Sequence, residues 1–138
     1  MKEPNTKFRY ENVLLIDDME LDNFINKKLL EINGFSKNIY VNTSATAALE
    51  FLKNLVTISR QESKMYPDVI FVDINMPMMD GFQFIKEFKR LFDPKIIDPK
   101  LIVLTSSIFQ NDRQKTLEIS ENIVFLNKPL TKEILEKL

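Results

Sequence analysis

VIFVDINMPMMDGFQF, residues 69–84, sets four consecutive apolar residues, Val69, Ile70, Phe71 and Val72, directly before the carboxylate of Asp73, with Pro77 and the pair Asp80-Gly81 close behind. The run lacks the in-and-out alternation of a half-exposed strand, so it reads as a strand buried on both faces, the habit of a parallel sheet. Three further runs share the pattern: Val13-Leu14-Leu15-Ile16, Leu101-Ile102-Val103-Leu104 and Ile123-Val124-Phe125-Leu126. A weaker fifth, Ile39-Tyr40-Val41, suits an edge position.

The segments between these runs carry apolar residues at three- and four-residue intervals, the spacing of one helix face. Leu21, Phe24, Ile25, Leu29 and Ile32 form one such inward stripe, Ala45, Ala48, Leu49, Leu52, Leu55 and Val56 a second, and Phe84, Ile85, Phe88, Leu91 and Phe92 a third. Asn33-Gly34 suits a helix stop. A fourth helix is expected within 110–119, where the stripe is weak, and Thr131 can cap a last helix that turns Ile134, Leu135 and Leu138 inward. Residues 61–66 are polar and read as a loop; Met76, Met78 and Met79 read as loop packing beside Pro77, and Phe82, Phe84, Phe88 and Phe92 as packing between helix and sheet. Asp80-Gly81 reads as a turn and helix start. Strand and helix thus alternate five times with crossovers long enough for parallel connection. The economical architecture is α/β, a doubly wound (βα)5 sandwich on a five-stranded parallel sheet.

A chain of 138 residues suits one domain with a real core. Nineteen Lys and Arg against twenty Asp and Glu give a net charge of -1, so no global attraction to nucleic acid or to an anionic membrane is implied. Cysteine is absent, which removes disulfides and thiolate metal sites. Histidine is absent too, and with it the commonest general base and zinc ligand. No stretch is long and apolar enough to span a bilayer, and residues 1–10 carry no signal-peptide pattern, so the expected setting is cytoplasmic. Whatever chemistry occurs runs on carboxylates, hydroxyls and lysines.

Each strong run ends in residues capable of it: Asp17 and Asp18 after the first, Asp73 after the second, Thr105, Ser106 and Ser107 after the third, Asn127 and Lys128 after the fourth. In an open α/β sheet the carboxyl ends of parallel strands share one edge, where ligands bind. Four pieces of sequence therefore converge on one crevice. Two carboxylates about 5 Å apart repel by roughly 3 kcal/mol at an effective dielectric near 20. Lys128 offsets one charge, and a hard divalent cation that keeps several waters, Mg2+, suits so few oxygen ligands. Carboxylate nucleophile, cation, lysine and hydroxyl are the parts that phosphoryl transfer to Asp73 requires.

The segments VLLIDD, VIFVDINMPMMDGFQF, LIVLTSS and FLNKPL resemble, in order and spacing, the signature segments of chemotaxis-type receiver domains of response regulators in two-component signalling. The resemblance covers about 12–138, with 1–11 as an N-terminal extension to a single receiver domain. It implies a flavodoxin-like fold with strand order 2-1-3-4-5. It further implies that Asp73 accepts a phosphoryl group from a sensor histidine kinase or histidine phosphotransfer protein. Asp18, Asp73 and the backbone carbonyl of Asn75 would bind Mg2+, with Asp17 acting through water or a contact behind the ligands. Lys128 would pair with the phosphoryl oxygens and Thr105 would swing to donate to one of them. A cis Lys128-Pro129 bond is expected, Phe125 matches the family's switch aromatic without its hydroxyl, and Asn75 and Ser107 occupy positions that tune phosphoryl lifetime. A downstream protein would bind the face of the fourth helix, fifth strand and fifth helix; the domain itself would contact neither nucleic acid nor membrane.

Three other readings compete. A Mg2+-dependent phosphohydrolase of the haloacid-dehalogenase type would carry an acid two residues after Asp73, where Asn75 stands and cannot relay a proton. A flavodoxin-like cofactor domain would need a phosphate-binding first loop, which Asp17 and Asp18 would repel. A receiver-shaped adaptor that is never phosphorylated becomes attractive only when a site residue is missing, and none is.

Overall fold

The computed structural model describes residues 7–58, 65–106 and 123–138. In chain order these form β1 (Tyr10–Ile16), α1 (Glu20–Ile32), β2 (Ser36–Asn42), α2 (Ala45–Ile58), β3 (Val69–Asp73), α3 (Gly81–Leu91), β4 (Lys100–Thr105), β5 (Val124–Asn127) and α4 (Lys132–Glu136). The five strands make one sheet in the order β2-β1-β3-β4-β5, every pair parallel. β1 starts at Tyr10, so Tyr10 and Glu11 belong to the sheet and not to the extension before it. The helix expected within 110–119, Ser107 and residues 61–64 lie outside the described residues.

The absence of alternation in the apolar runs has its cause here. Successive side chains of a strand point to opposite faces, and both faces of this sheet are covered. Leu14, Ile16, Ile70, Val72 and Val103 face α2 and α3, while Val13, Leu15, Val69, Phe71, Ile102 and Leu104 face Leu30 of α1 and Leu135 of α4. Each fully buried Leu, Ile or Phe contributes about 1.5–3 kcal/mol of transfer free energy, so the two faces of the central strands provide the main drive to fold. The stripe of α2 is buried as the spacing predicts, and so are Phe82, Phe84, Ile85, Phe88 and Phe92 around α3. Phe88 and Phe92 approach to 4.9 Å between ring centres.

Four further expectations need correction. The stripe assigned to α1 does not face the core: Leu21, Phe24, Ile25 and Ile32 are all more than half exposed, and Asn23, Asn26 and Leu30 are buried instead. A polar link turns the helix, since the amide of Asn23 donates to the carbonyl of Asp17 at 2.8 Å. The run 123–126 is only half-buried, because β5 is the second edge of the sheet and has one strand neighbour. Tyr66, read as part of a polar loop, is a core residue whose carbonyl accepts from the Asn12 side chain. Met78 does not pack in its loop; it sits at φ 71 and is 99% exposed, while Met76 is buried and Met79 packs against the core.

Local chemistry fixes how α3 begins. The Asp80 side chain accepts from the backbone of Gln83 at 2.8 Å, and the Gln83 side chain accepts from the backbone of Asp80 at 2.9 Å, a reciprocal capping box. Gly81 has a second duty. A Cβ there would lie 2.7 Å from the carbonyl oxygen of Asp73, so only glycine lets the helix start against the end of β3. The helix cap and the rigidity of Asp73 are thus one arrangement.

Candidate functional site

The carboxyl ends of β1, β3, β4 and β5 bring together the residues that their sequence positions single out. Asp17 and Asp73 are buried, Asp18 is half-buried, and one carboxylate oxygen from each lies within 4.8 Å of the others. Backbone bonds hold these ends in register: Asp17 donates to the carbonyl of Asn42 at 3.2 Å, Ile74 to that of Leu104 at 3.0 Å, and Lys128 to that of Thr105 at 2.7 Å. Thr105 is fully buried beside them at the end of β4. The Lys128-Pro129 peptide bond is cis. Asn75 is exposed two residues beyond Asp73, and Phe125, on β5, is half-buried against the core cluster under α2 and α3.

Lys128 reaches into the cluster from the loop after β5. Its ammonium donates to Asp17 at 2.7 Å and to Asp22 at 2.8 Å, and lies 3.1 Å from Asp73. Burial alone pulls the ammonium down, but the bonds to Asp17 and Asp22 and the charge of Asp73 push it above the ordinary lysine value. It is a cation at every physiological pH. Asp73 feels the opposite pressure. Burial and the neighbouring Asp17 charge push its carboxyl up to about 6, against the pull of Lys128. One lysine therefore does not neutralise the cluster, and the residual negative charge on hard oxygen donors fits a small divalent cation.

Asp22 escaped the reading of the sequence. In a first helical turn an aspartate is an ordinary favourable residue for the helix dipole, and only the fold shows that the first turn of α1 overhangs the lysine. Gly81 is similar: the Asp-Gly pair is legible as a turn, but its approach to Asp73 is not. A cavity of about 370 Å³ at the opposite edge, lined by Arg9, Phe35, Lys132 and Leu135 among others, contains none of these residues.

A family model described as response regulator receiver domain matches residues 13–138. The chain belongs to the response regulator receiver domains. A crystal structure of a two-component response regulator from Cytophaga hutchinsonii is similar to this receiver domain at a TM-score of 0.80 and 32% identity, covering 92% of each chain. The receiver domain of the histidine kinase CKI1 from Arabidopsis thaliana, complexed with Mg2+ and BeF3-, shares the fold at a TM-score of 0.78 and 20% identity, covering 92% of this chain and 88% of that one. Among curated relatives, the sensor histidine kinase CheAY of Helicobacter pylori is 34% identical over 123 residues, 89% of this receiver domain and 14% of the kinase. The first curated relatives are much longer proteins, of which this chain spans 7% to 32%. Among the described residues no helix is long and apolar enough to cross a membrane.

Proposed function

We propose that this receiver domain is a phosphorylation switch in which Asp73 takes a phosphoryl group from a phosphohistidine of a sensor kinase or histidine phosphotransfer protein. The observation that carries the reading is the convergence of three carboxylates and one lysine, with Asp73 fixed at the end of a fully buried strand. Asp17, Asp18 and Asp73, with the backbone carbonyl of Asn75, are the residues that would hold Mg2+. A bound divalent cation supplies charge neutralisation for the oxygens of the transferring group.

The residues of the chain do the rest. A carboxylate oxygen of Asp73 forms the new P–O bond as the P–N bond breaks, and the electron pair of that bond leaves with the imidazole of the donor. Asp73 must be ionised to attack, which at a value of about 6 it is at neutral pH. Lys128, already 3.1 Å from Asp73, pairs with the arriving anionic oxygens, and the Thr105 hydroxyl donates to one of them. The phosphoryl group adds about 1.5 to 2 negative charges in a buried corner, which draws Thr105 and Lys128 toward it and lets Phe125 turn inward. A face that includes β5 and α4 then changes shape and exchanges its downstream protein partner, a shift between two populations. The domain acts as a single unit, in the cytoplasm, and catalyses nothing beyond its own phosphorylation and dephosphorylation.

Acetyl phosphate with Mg2+ should label the protein on a phosphate-affinity gel, and Asp73→Asn should abolish the label. Undiminished labelling of that variant would mean that another residue is the acceptor.

A further inference from the structure

Lys128 has three N–H donors, and in the resting domain carboxylates surround all of them: Asp17 at 2.7 Å, Asp22 at 2.8 Å and Asp73 at 3.1 Å. The three contacts are not equivalent. Asp17 and Asp73 belong to the carboxylate cluster, whereas Asp22 stands on the first turn of α1 outside it. A cation bound by the cluster takes up the charge of Asp17. Phosphorylation converts the Asp73 carboxylate into an acyl phosphate, whose charge lies on the phosphoryl oxygens. Neither event touches Asp22, whose hold on the ammonium persists when the lysine is needed by the phosphoryl oxygens.

We propose that Asp22 is a positioning residue that retains Lys128 in the resting site and thereby weakens the grip of the domain on a phosphoryl-type anion. The inference rests on Asp73 being the phosphoacceptor. It makes Asp22 a setting for how readily the phosphorylated state forms and how long it persists, since the same lysine is held by carboxylates, Asp22 among them, in the resting form and pairs with the phosphoryl oxygens in the active one. At 35% side-chain exposure Asp22 is wet enough to release the lysine, and water then hydrates the freed carboxylate. Asp22 belongs to neither core cluster, so replacing it removes no core packing.

The test is the affinity of the metal-loaded domain for trifluoroberyllate, an analogue of the phosphoryl group, measured by calorimetry in excess Mg2+ for the wild type, Asp22→Asn and Glu20→Gln. Glu20 is an exposed carboxylate on the same helical turn with no contact to Lys128, so it controls for the loss of a nearby negative charge. Asp22→Asn should bind about fivefold more tightly, the size of one partly exposed ion pair, while Glu20→Gln stays near the wild type. A gain of affinity is not what damage to the fold would produce. Unchanged or weaker binding by Asp22→Asn, or an equal gain in Glu20→Gln, would overturn the role of Asp22 while leaving Asp73 as acceptor. Failure of the wild type itself to bind trifluoroberyllate would overturn both.

Discussion

Lys128→Met should lower the stability of the cation-free protein by about 3 kcal/mol above pH 8, because it leaves buried carboxylates facing each other without their counter-charge. Asp17 and Asp73 expose only 3% and 6% of their side chains, so water cannot replace the lost ammonium. The loss has a limit, since Asp73 can escape by taking a proton. Lys128 is one of the influences that hold its carboxyl down, and without it the group, already at about 6, moves further up. The variant should therefore recover part of its stability as the pH falls toward 6, and part again when Mg2+ is added at pH 8. Urea denaturation with chelator and with Mg2+ at both pH values checks this. A loss of the same size in all four conditions would mean that Lys128 serves packing and not charge.

Asp73→Asn should act in the opposite direction. A carboxyl whose ordinary value of 3.8 is raised to about 6 on folding costs stability wherever it is ionised in the folded state. The unfolded chain releases its proton first, so the cost grows as pH rises from about 4 and is complete above about 6. A rise from 3.8 to about 6 corresponds to about 3 kcal/mol. Asn at this position keeps an acceptor for Lys128 but carries no charge, so the chelated variant should exceed the wild type by about 2 kcal/mol at pH 8, several degrees in Tm. The gain should fade as pH drops below about 6 and vanish near pH 4, where the wild-type carboxyl is neutral too. Mg2+ should shrink the difference at pH 8 by stabilising the wild type alone. A variant less stable than the wild type in chelator at pH 8 would show that Asp73 is comfortably paired in the resting site.

Much of this arrangement is legible in the chain because strands buried on both faces leave no choice of residue. Val13 to Ile16 and Val69 to Val72 are apolar throughout since each side chain meets a helix layer. The stripes of α2 and α3 are legible for the same reason. α1 is not, because its orientation follows from Asn23 bonded to the backbone of Asp17, and a polar residue facing inward breaks the rule that reads the largest apolar stripe as the buried one. The strand-end residues Asp17, Asp18, Asp73, Thr105 and Lys128 share one edge by topology alone. Asp22 and the close approach of Gly81 to Asp73 arise only when distant segments meet, and no local spacing announces either.

The three carboxylates of Asp17, Asp18 and Asp73 form a cluster that a single lysine leaves short of positive charge, and this is the claim from which the others descend. Calorimetric titration of the purified domain with Mg2+ at pH 8 measures it most directly. One ion should bind per chain, with binding lost in Asp18→Ala and a higher Tm for the loaded wild type. An absence of binding heat together with an unchanged Tm in excess Mg2+ would contradict it.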